Sequence, residues 1–166
     1  GLFPEGGESV VEVLTRPGVA VAFPNAQTCC GQPAFNAGYW DEARRMARHT
    51  IEVFEASPDP VVIPSGSCAH MVRHGYLELF ADEPAWLSRA RRLAERTSEL
   101  TEYLVDRLGR TGFGAASSTR VAYHPSCHLL RGLGVDRQPL ALLEQVRGLD
   151  IMRLEPECCG FGGVFS

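Results

Sequence analysis

Apolar positions along the chain alternate between helical spacing and short unbroken runs, and Pro and Gly punctuate the turns between them. Residues 8–16 (ESVVEVLTR) predict a helix ended by Pro17 and Gly18, and the apolar run 19–23 (VAVAF) predicts a buried strand stopped by Pro24. From 39 to 56, Tyr39, Ala43, Met46, Thr50 and Phe54 recur three or four apart, with Arg44, Arg45 and Arg48 mostly on the other side. That pattern predicts an amphipathic helix closed by Ser57 and Pro58. A strand follows at 61–63 (VVI), ending at Pro64, and a further helix begins after Gly66. The clearest stripe, Trp86, Ala90, Leu93, Thr97, Leu100, Leu104 and Leu108, runs through 85–108 with Gly109 as its C-cap. It reads as core, or as a contact face between halves or subunits. A Gly/Ser-rich stretch at 111–118 (TGFGAASS) reads as a linker, followed by a strand at 120–124, a helix at 138–147 and a strand at 149–154. Strands alternating with helices predict an α/β fold, with layered helices on mostly parallel short sheets. The expected division is a first half over 1–110, the linker at 111–118, and the start of a second half over 119–166.

Composition narrows the function classes. With 166 residues, 45% of them hydrophobic and 22% charged, the chain is globular rather than disordered or coiled coil. No apolar run approaches the roughly 20 residues of a membrane helix, so no transmembrane segment is expected. Sixteen basic residues, all Arg, stand against 20 acidic ones for a net charge of -4. No basic cluster is dense enough to follow phosphates, which argues against nucleic acid as a partner. No secretory pattern opens the chain, and a cytoplasmic location is expected.

The six cysteines carry the chemistry. Cys29-Cys30-Gly31 recurs as Cys158-Cys159-Gly160, each after a short apolar run and a Pro-containing approach. Cys68 lies 38 positions after Cys30, and Cys127 precedes Cys158 with thirty residues between them. Projecting these spacings outward runs past both ends, so the chain reads as a fragment truncated at both ends, with each half short of a ligand. Adjacent cysteines make a strained disulfide, and metal or redox chemistry is the better reading. Cys68 (in PSGSC, 64–68) and Cys127 (in HPSCH, 124–128) each sit where a strand turns into a helix, the position at which α/β proteins build sites. Thiolates are soft ligands, and the glycine after each pair lets backbone approach a bulky group, which suits an iron–sulfur cluster. Zinc is the chemical alternative, with His124 or His128 joining Cys127 and the Cys158/Cys159 pair, although the usual Cys-x-x-Cys knuckles are missing.

Taken together, CCGQPAFNAG (29–38), PSGSC (64–68), HPSCHLLRGLG (124–134) and CCGFGG (158–163) resemble the cysteine-rich CCG-domain family of iron–sulfur oxidoreductases, and within it the lactate utilization A family. Related domains occur in heterodisulfide reductase and in the iron–sulfur subunit of glycolate oxidase. The resemblance implies two pseudo-repeated CCG halves holding [4Fe-4S]-type clusters, of a kind that can be non-cubane, through Cys29, Cys30 and Cys68 in one copy and Cys127, Cys158 and Cys159 in the other. Met71 departs from the family pattern, occupying the last position of the first Cys-x-x-Cys, and a thioether is a poor substitute for a thiolate. A truncated chain with that substitution is expected to hold a cluster with fewer protein ligands, another metal, or none.

The implied function is an electron-transfer subunit of a complex oxidising L-lactate to pyruvate, partnered by other iron–sulfur and small subunits and reaching a small 2-hydroxy acid through them. Alternatives are a heterodisulfide-reductase-type thiol–disulfide catalyst and a zinc-stapled interaction module. Beside the cysteines, His124 and His128 are candidates to tune a site, with His70 and His74 nearby, and Arg131 is a candidate to neutralise charge or hold a carboxylate. Tyr39 and Trp40 read as packing residues. No Ser-His-Asp arrangement, carboxylate pair or His-Glu-x-x-His argues for hydrolysis.

Overall fold

The computed structural model describes residues 4–155, 157, 158 and 160. It is mixed α/β. The elements are α1 (Pro4–Thr15), α2 (Gln32–Asn36), α3 (Trp40–Phe54), β1 (Val61–Ile63), α4 (Gly66–His70), α5 (Tyr76–Leu79), α6 (Pro84–Glu95), β2 (Thr97–Glu99), α7 (Leu100–Glu102), β3 (Arg120–Tyr123), α8 (Arg137–Leu143) and β4 (Asp150–Arg153). Helical turns of the wider π type occupy Met71–Gly75, Tyr103–Arg107 and His128–Gly132. Strand β1 pairs in parallel with β2, Val61 opposite Thr97, and β3 pairs in parallel with β4, Arg120 opposite Asp150. Parallel neighbours need a crossover, and helices supply it in both cases. Among the described residues no helix is long and apolar enough to cross a membrane.

The core lies where α3, the run from Met71 to Phe80, and α6 meet. Ile51, Met71, Tyr76, Leu79, Phe80 and Leu93 are fully buried there, each contributing about 1.5–3 kcal/mol of burial free energy. Helix α3 begins with Asp41 and Glu42 in its first turn, where they complement the helix dipole. Its buried face is Ala43, Ala47, Thr50 and Ile51. That face is rotated from the expected stripe: Met46 and Tyr39 are exposed, because Tyr39 precedes the helix and Met46 sits at its rim against Gly31. Trp86, half of a stacked pair with Phe80, is overlain by the guanidinium groups of Arg48 and Arg89 at 5.3 and 3.9 Å from its centroid. Arg48 and Arg89 are themselves paired with Glu83 and Glu55.

Two further expectations need correction. The run 19–23 forms no strand among the described residues, and Val21 and Phe23 are exposed. No described neighbour supplies it with ladder hydrogen bonds, and apolar content alone does not make a strand. The 85–108 stripe is not one helix either. Helix α6 stops at Glu95, Thr97 turns into β2 to pair with Val61, and helical structure resumes at Leu100 behind a capping box in which Glu99 accepts the Thr101 and Glu102 N–H groups. Three residues of strand pairing and a strong helix cap override the periodicity. Helix α8 ends at Leu143, shorter than expected, whereas β1, β3 and β4 fall close to their expected positions.

Glycine mediates the contact between the α4 region and the π turn at His128–Gly132. A Cβ on Gly66 would meet Leu129 Cβ at 2.7 Å and its Cα at 3.1 Å, and a Cβ on Gly132 would collide with the His70 ring. The Gly66→Ala variant is therefore expected to lose about 1–3 kcal/mol of stability in chemical denaturation. By contrast, Gly112→Ala, where an added methyl meets nothing within 4 Å, should stay within about 0.5 kcal/mol of the parent.

Candidate metal centre

Three of the predicted cysteines come together. Gly31, at φ 86°, lets the chain turn sharply after Cys29-Cys30 into α2, and its N–H donates to the Cys29 sulfur at 3.5 Å. The Gln32 N–H donates to the Cys30 sulfur. The start of a helix thus points two backbone donors at two sulfurs, the arrangement that stabilises thiolate. Cys68 arrives from the other side, in the first turn of α4 after β1, and is hydrogen-bonded to Cys30. Cys29, Cys30 and Cys68 line one cleft of about 200 Å³ with an apolar wall that includes Phe54, Val61, Ile63 and Val72. Cys29 is exposed, Cys30 buried and Cys68 half-buried.

The Cys30–Cys68 pair is polarised. The hydrogen bond from Cys30 pulls the Cys68 thiol down to about 6 against the opposing effect of burial, with help from the Ser65 and Ser67 hydroxyls. The same bond, reinforced by burial, pushes Cys30 up. Of the two thiols, Cys68 is the more readily ionised. Met71, three residues on, turns its sulfur against Gly75 and is 1% exposed, outside the lining of the cleft. The thioether at this position is core.

In the second half, Cys127 begins the π turn at His128–Gly132 and is hydrogen-bonded to Cys158. The Gly160 N–H, the Cys127 side chain and the charge of Arg131 hold the exposed Cys158 thiol below its ordinary value. Gly160 has φ 76°, so the left-handed turn of Gly31 recurs after the second CysCys pair. Cys159 lies outside the described residues. His124 does not face a thiol; its Nε2 pairs with the Glu157 carbonyl at 2.8 Å, tying the end of β3 to the approach of Cys158. His128 instead meets the His70 ring at a tilt, centroids 5.1 Å apart, and His70 meets His74 likewise at 5.0 Å. Burial, with neighbouring positive charge, keeps His70 and His74 below the usual imidazole value. Tyr39 is exposed, and Trp40 stacks on Phe35.

Sequence reasoning missed the residues that support the thiols. Ser65 and Ser67 were visible only as part of a turn motif. Tyr76, fully buried, donates its hydroxyl to the Cys30 carbonyl at 2.9 Å. Nothing in its local sequence distinguishes it from a core aromatic. Burial pushes its own ionisation up, so it remains a donor.

Among the described residues no three His, Cys, Asp or Glu side chains stand close enough to hold a single metal ion. The donor chemistry nevertheless fits a thiophilic group: three sulfurs round one cleft, two of them receiving backbone N–H bonds, and a glycine turn that brings the backbone close. This is the site of a cysteine-rich domain, and the model of the CCG cysteine-rich domain matches residues 1–73 and 121–166, the stretches that contain both sets of cysteines. The chain belongs to that family. It is 48% identical to lactate utilization protein A 2 of Bacillus cereus (strain Q1), over 99% of this chain and 68% of the relative. It is also 51% identical to lactate utilization protein A of Shouchella clausii (strain KSM-K16), over 99% of this chain and 69% of the relative. No solved structure matches.

The polarised pair predicts a pH signature. In metal-free protein, alkylation of Cys68 by iodoacetamide should rise through about pH 6, and peptide mapping should show Cys30 lagging. Replacing Cys30 with Ala removes the main influence holding Cys68 down, so the midpoint of Cys68 labelling should move upward toward the ordinary thiol range.

Proposed function

We propose that this protein is a thiolate-ligated electron-transfer subunit of a lactate-oxidising system. The observation that carries the reading is the convergence of Cys29, Cys30 and Cys68, from two distant motifs, on one cleft. The names of the relatives, and their similarity over 99% of this chain, support the substrate side of the proposal. In this reading residues 1–110 and 119–166 are two CCG halves joined by 111–118. Cys29, Cys30 and Cys68 hold an iron–sulfur group in the first, and Cys127, Cys158 and Cys159 hold one in the second. Such a group, when bound, supplies one-electron transfer.

The chain's own contribution is to keep the sulfurs placed and Cys68 ready to ionise. Backbone N–H groups of Gly31 and Gln32 face Cys29 and Cys30, Ser65 and Ser67 hydroxyls face Cys68, and the apolar wall limits water at the cleft. The exposed Cys29 is the edge of the first site closest to solvent and to the other iron–sulfur and small subunits that would pass electrons from a 2-hydroxy acid. The exposed thiols Cys29 and Cys158 suit a reducing compartment, the cytoplasm.

A second reading draws on the Cys30–Cys68 pair: a thiolate beside a thiol is the arrangement of a dithiol catalyst, which would pass two electrons and the thiol's one proton to a disulfide substrate as its own disulfide forms, the substrate's second proton coming from solvent.

The deciding measurement is iron, zinc and acid-labile sulfide content, with a visible spectrum, on protein purified without oxygen. Iron with matching sulfide, diminished in Cys68→Ser and in Cys158→Ser, is the expected result, followed by reduction of the chromophore when lactate and the partner subunits are added. Zinc without sulfide would replace the proposal with a structural module. Metal-free protein that reduces a disulfide stoichiometrically would replace it with the second reading.

A further inference from the structure

Tyr76 is singled out neither by cysteine spacing nor by the family motifs. Its side chain is fully buried, and its hydroxyl reaches across 46 residues of sequence to the Cys30 carbonyl at 2.9 Å. The Thr50 hydroxyl, which donates to the Met46 carbonyl at 3.0 Å, lies beside the phenol. Cys30 is the member of the CysCys pair whose sulfur meets Cys68, and fixing its carbonyl fixes the peptide plane next to the Cα from which that sulfur projects.

Tyr76 stands on the same helical run as Cys68. From Gly66 to Leu79 the backbone stays helical through α4, the π turn and α5. In an unbroken α-helix, eight residues turn about 80° beyond two full revolutions, which would set Tyr76 on a different face from Cys68. The turn at Met71–Gly75 is wider: the Tyr76 N–H donates to the Met71 carbonyl, five residues back. A turn of this kind uses more residues per revolution and brings Tyr76 back toward the face of Cys68. One helix thereby presents a thiol and, two turns later, the group that holds the thiol opposite.

We propose that Tyr76 is a positioning residue of the thiol site, setting the Cys30 sulfur against Cys68 through the Cys30 carbonyl, and that the π turn is the device that aligns it. The inference rests on the reading of Cys29, Cys30 and Cys68 as ligands. The test is a Co2+ titration of oxygen-free protein carrying Cys127→Ser, Cys158→Ser and Cys159→Ser, so that sulfur-to-cobalt charge-transfer absorption reports the first set of thiols alone. In that background Tyr76→Phe keeps the ring and removes one hydrogen bond. It should weaken Co2+ binding about tenfold and lower the charge-transfer intensity per bound ion.

Gln138→Leu is the control. It deletes the hydrogen bonds of a buried side chain in α8 to the Asp106 carboxylate and the Asp136 N–H, all outside the lining of the cleft, and should lower the unfolding midpoint while leaving affinity and spectrum unchanged. Co2+ binding by Tyr76→Phe equal to the parent's, or a loss shared by Gln138→Leu, would overturn the positioning role and leave the ligand reading standing. Absence of a charge-transfer band in the parent would overturn the ligand reading, and the positioning role with it.

Discussion

The meeting of Cys30 and Cys68 at one cleft joins two parts of the chain that have no other reason to bring their sulfurs together, and the structure around them is arranged to hold it. One partner sits on a glycine turn entering α2, the other on the first turn of a helix leaving β1. To keep them in register, the turn has to be held from behind and the helix from the side. Tyr76 does the first through the Cys30 carbonyl. The second falls to the core face formed by Met71, Val72 and Leu79, and to the ion pair between Arg73 and Glu102 at 3.0 Å, which ties the π turn to the end of α7. That pair is only about a quarter exposed on either side, so it is less screened than the surface pairs on α1 and α3.

The second half uses the same elements more economically. A parallel strand pair, β3 and β4, brackets a π turn that starts immediately after Cys127, and a left-handed glycine follows the CysCys pair. Each strand-end cysteine is thus followed by a π turn, after two intervening residues for Cys68 and at once for Cys127. Local widening of this kind is found often at functional sites, because it re-aims side chains without ending the helix. The halves touch through glycines that admit Leu129 and His70, which brings the imidazoles of His70 and His128 together between the two cysteine-bearing helices.

Electrostatics in the first site come from neutral dipoles more than from charge. Backbone N–H groups and serine hydroxyls surround the sulfurs, while the Arg side chains of α3 and α6 are engaged with Glu55, Glu83 and the Trp86 ring elsewhere. In the second site a cation, Arg131, contributes directly to holding Cys158 down. The two sets of thiols are therefore similar in backbone geometry and different in field.

Much of this was legible in the chain itself. Cysteine identity and spacing marked the site, because ligand chemistry demands particular side chains and leaves a signature in sequence. Glycine after each pair, the β-branched run at 61–63 and the short run RVAYH at 120–124 marked the turn and strands, because φ restrictions and strand preference are local properties. The run 19–23 and the long stripe of 85–108 misled for the converse reason: whether an apolar run becomes a strand, or a periodic segment stays one helix, depends on partners that are distant in sequence. Thr97 joins a strand only because Val61 is there to pair with it. Which thiol ionises more readily, that Met71 is core, and that Tyr76 holds Cys30 likewise depend on contacts between remote segments. No single segment encodes them, since they come into being only when helices, strands and π turns have packed.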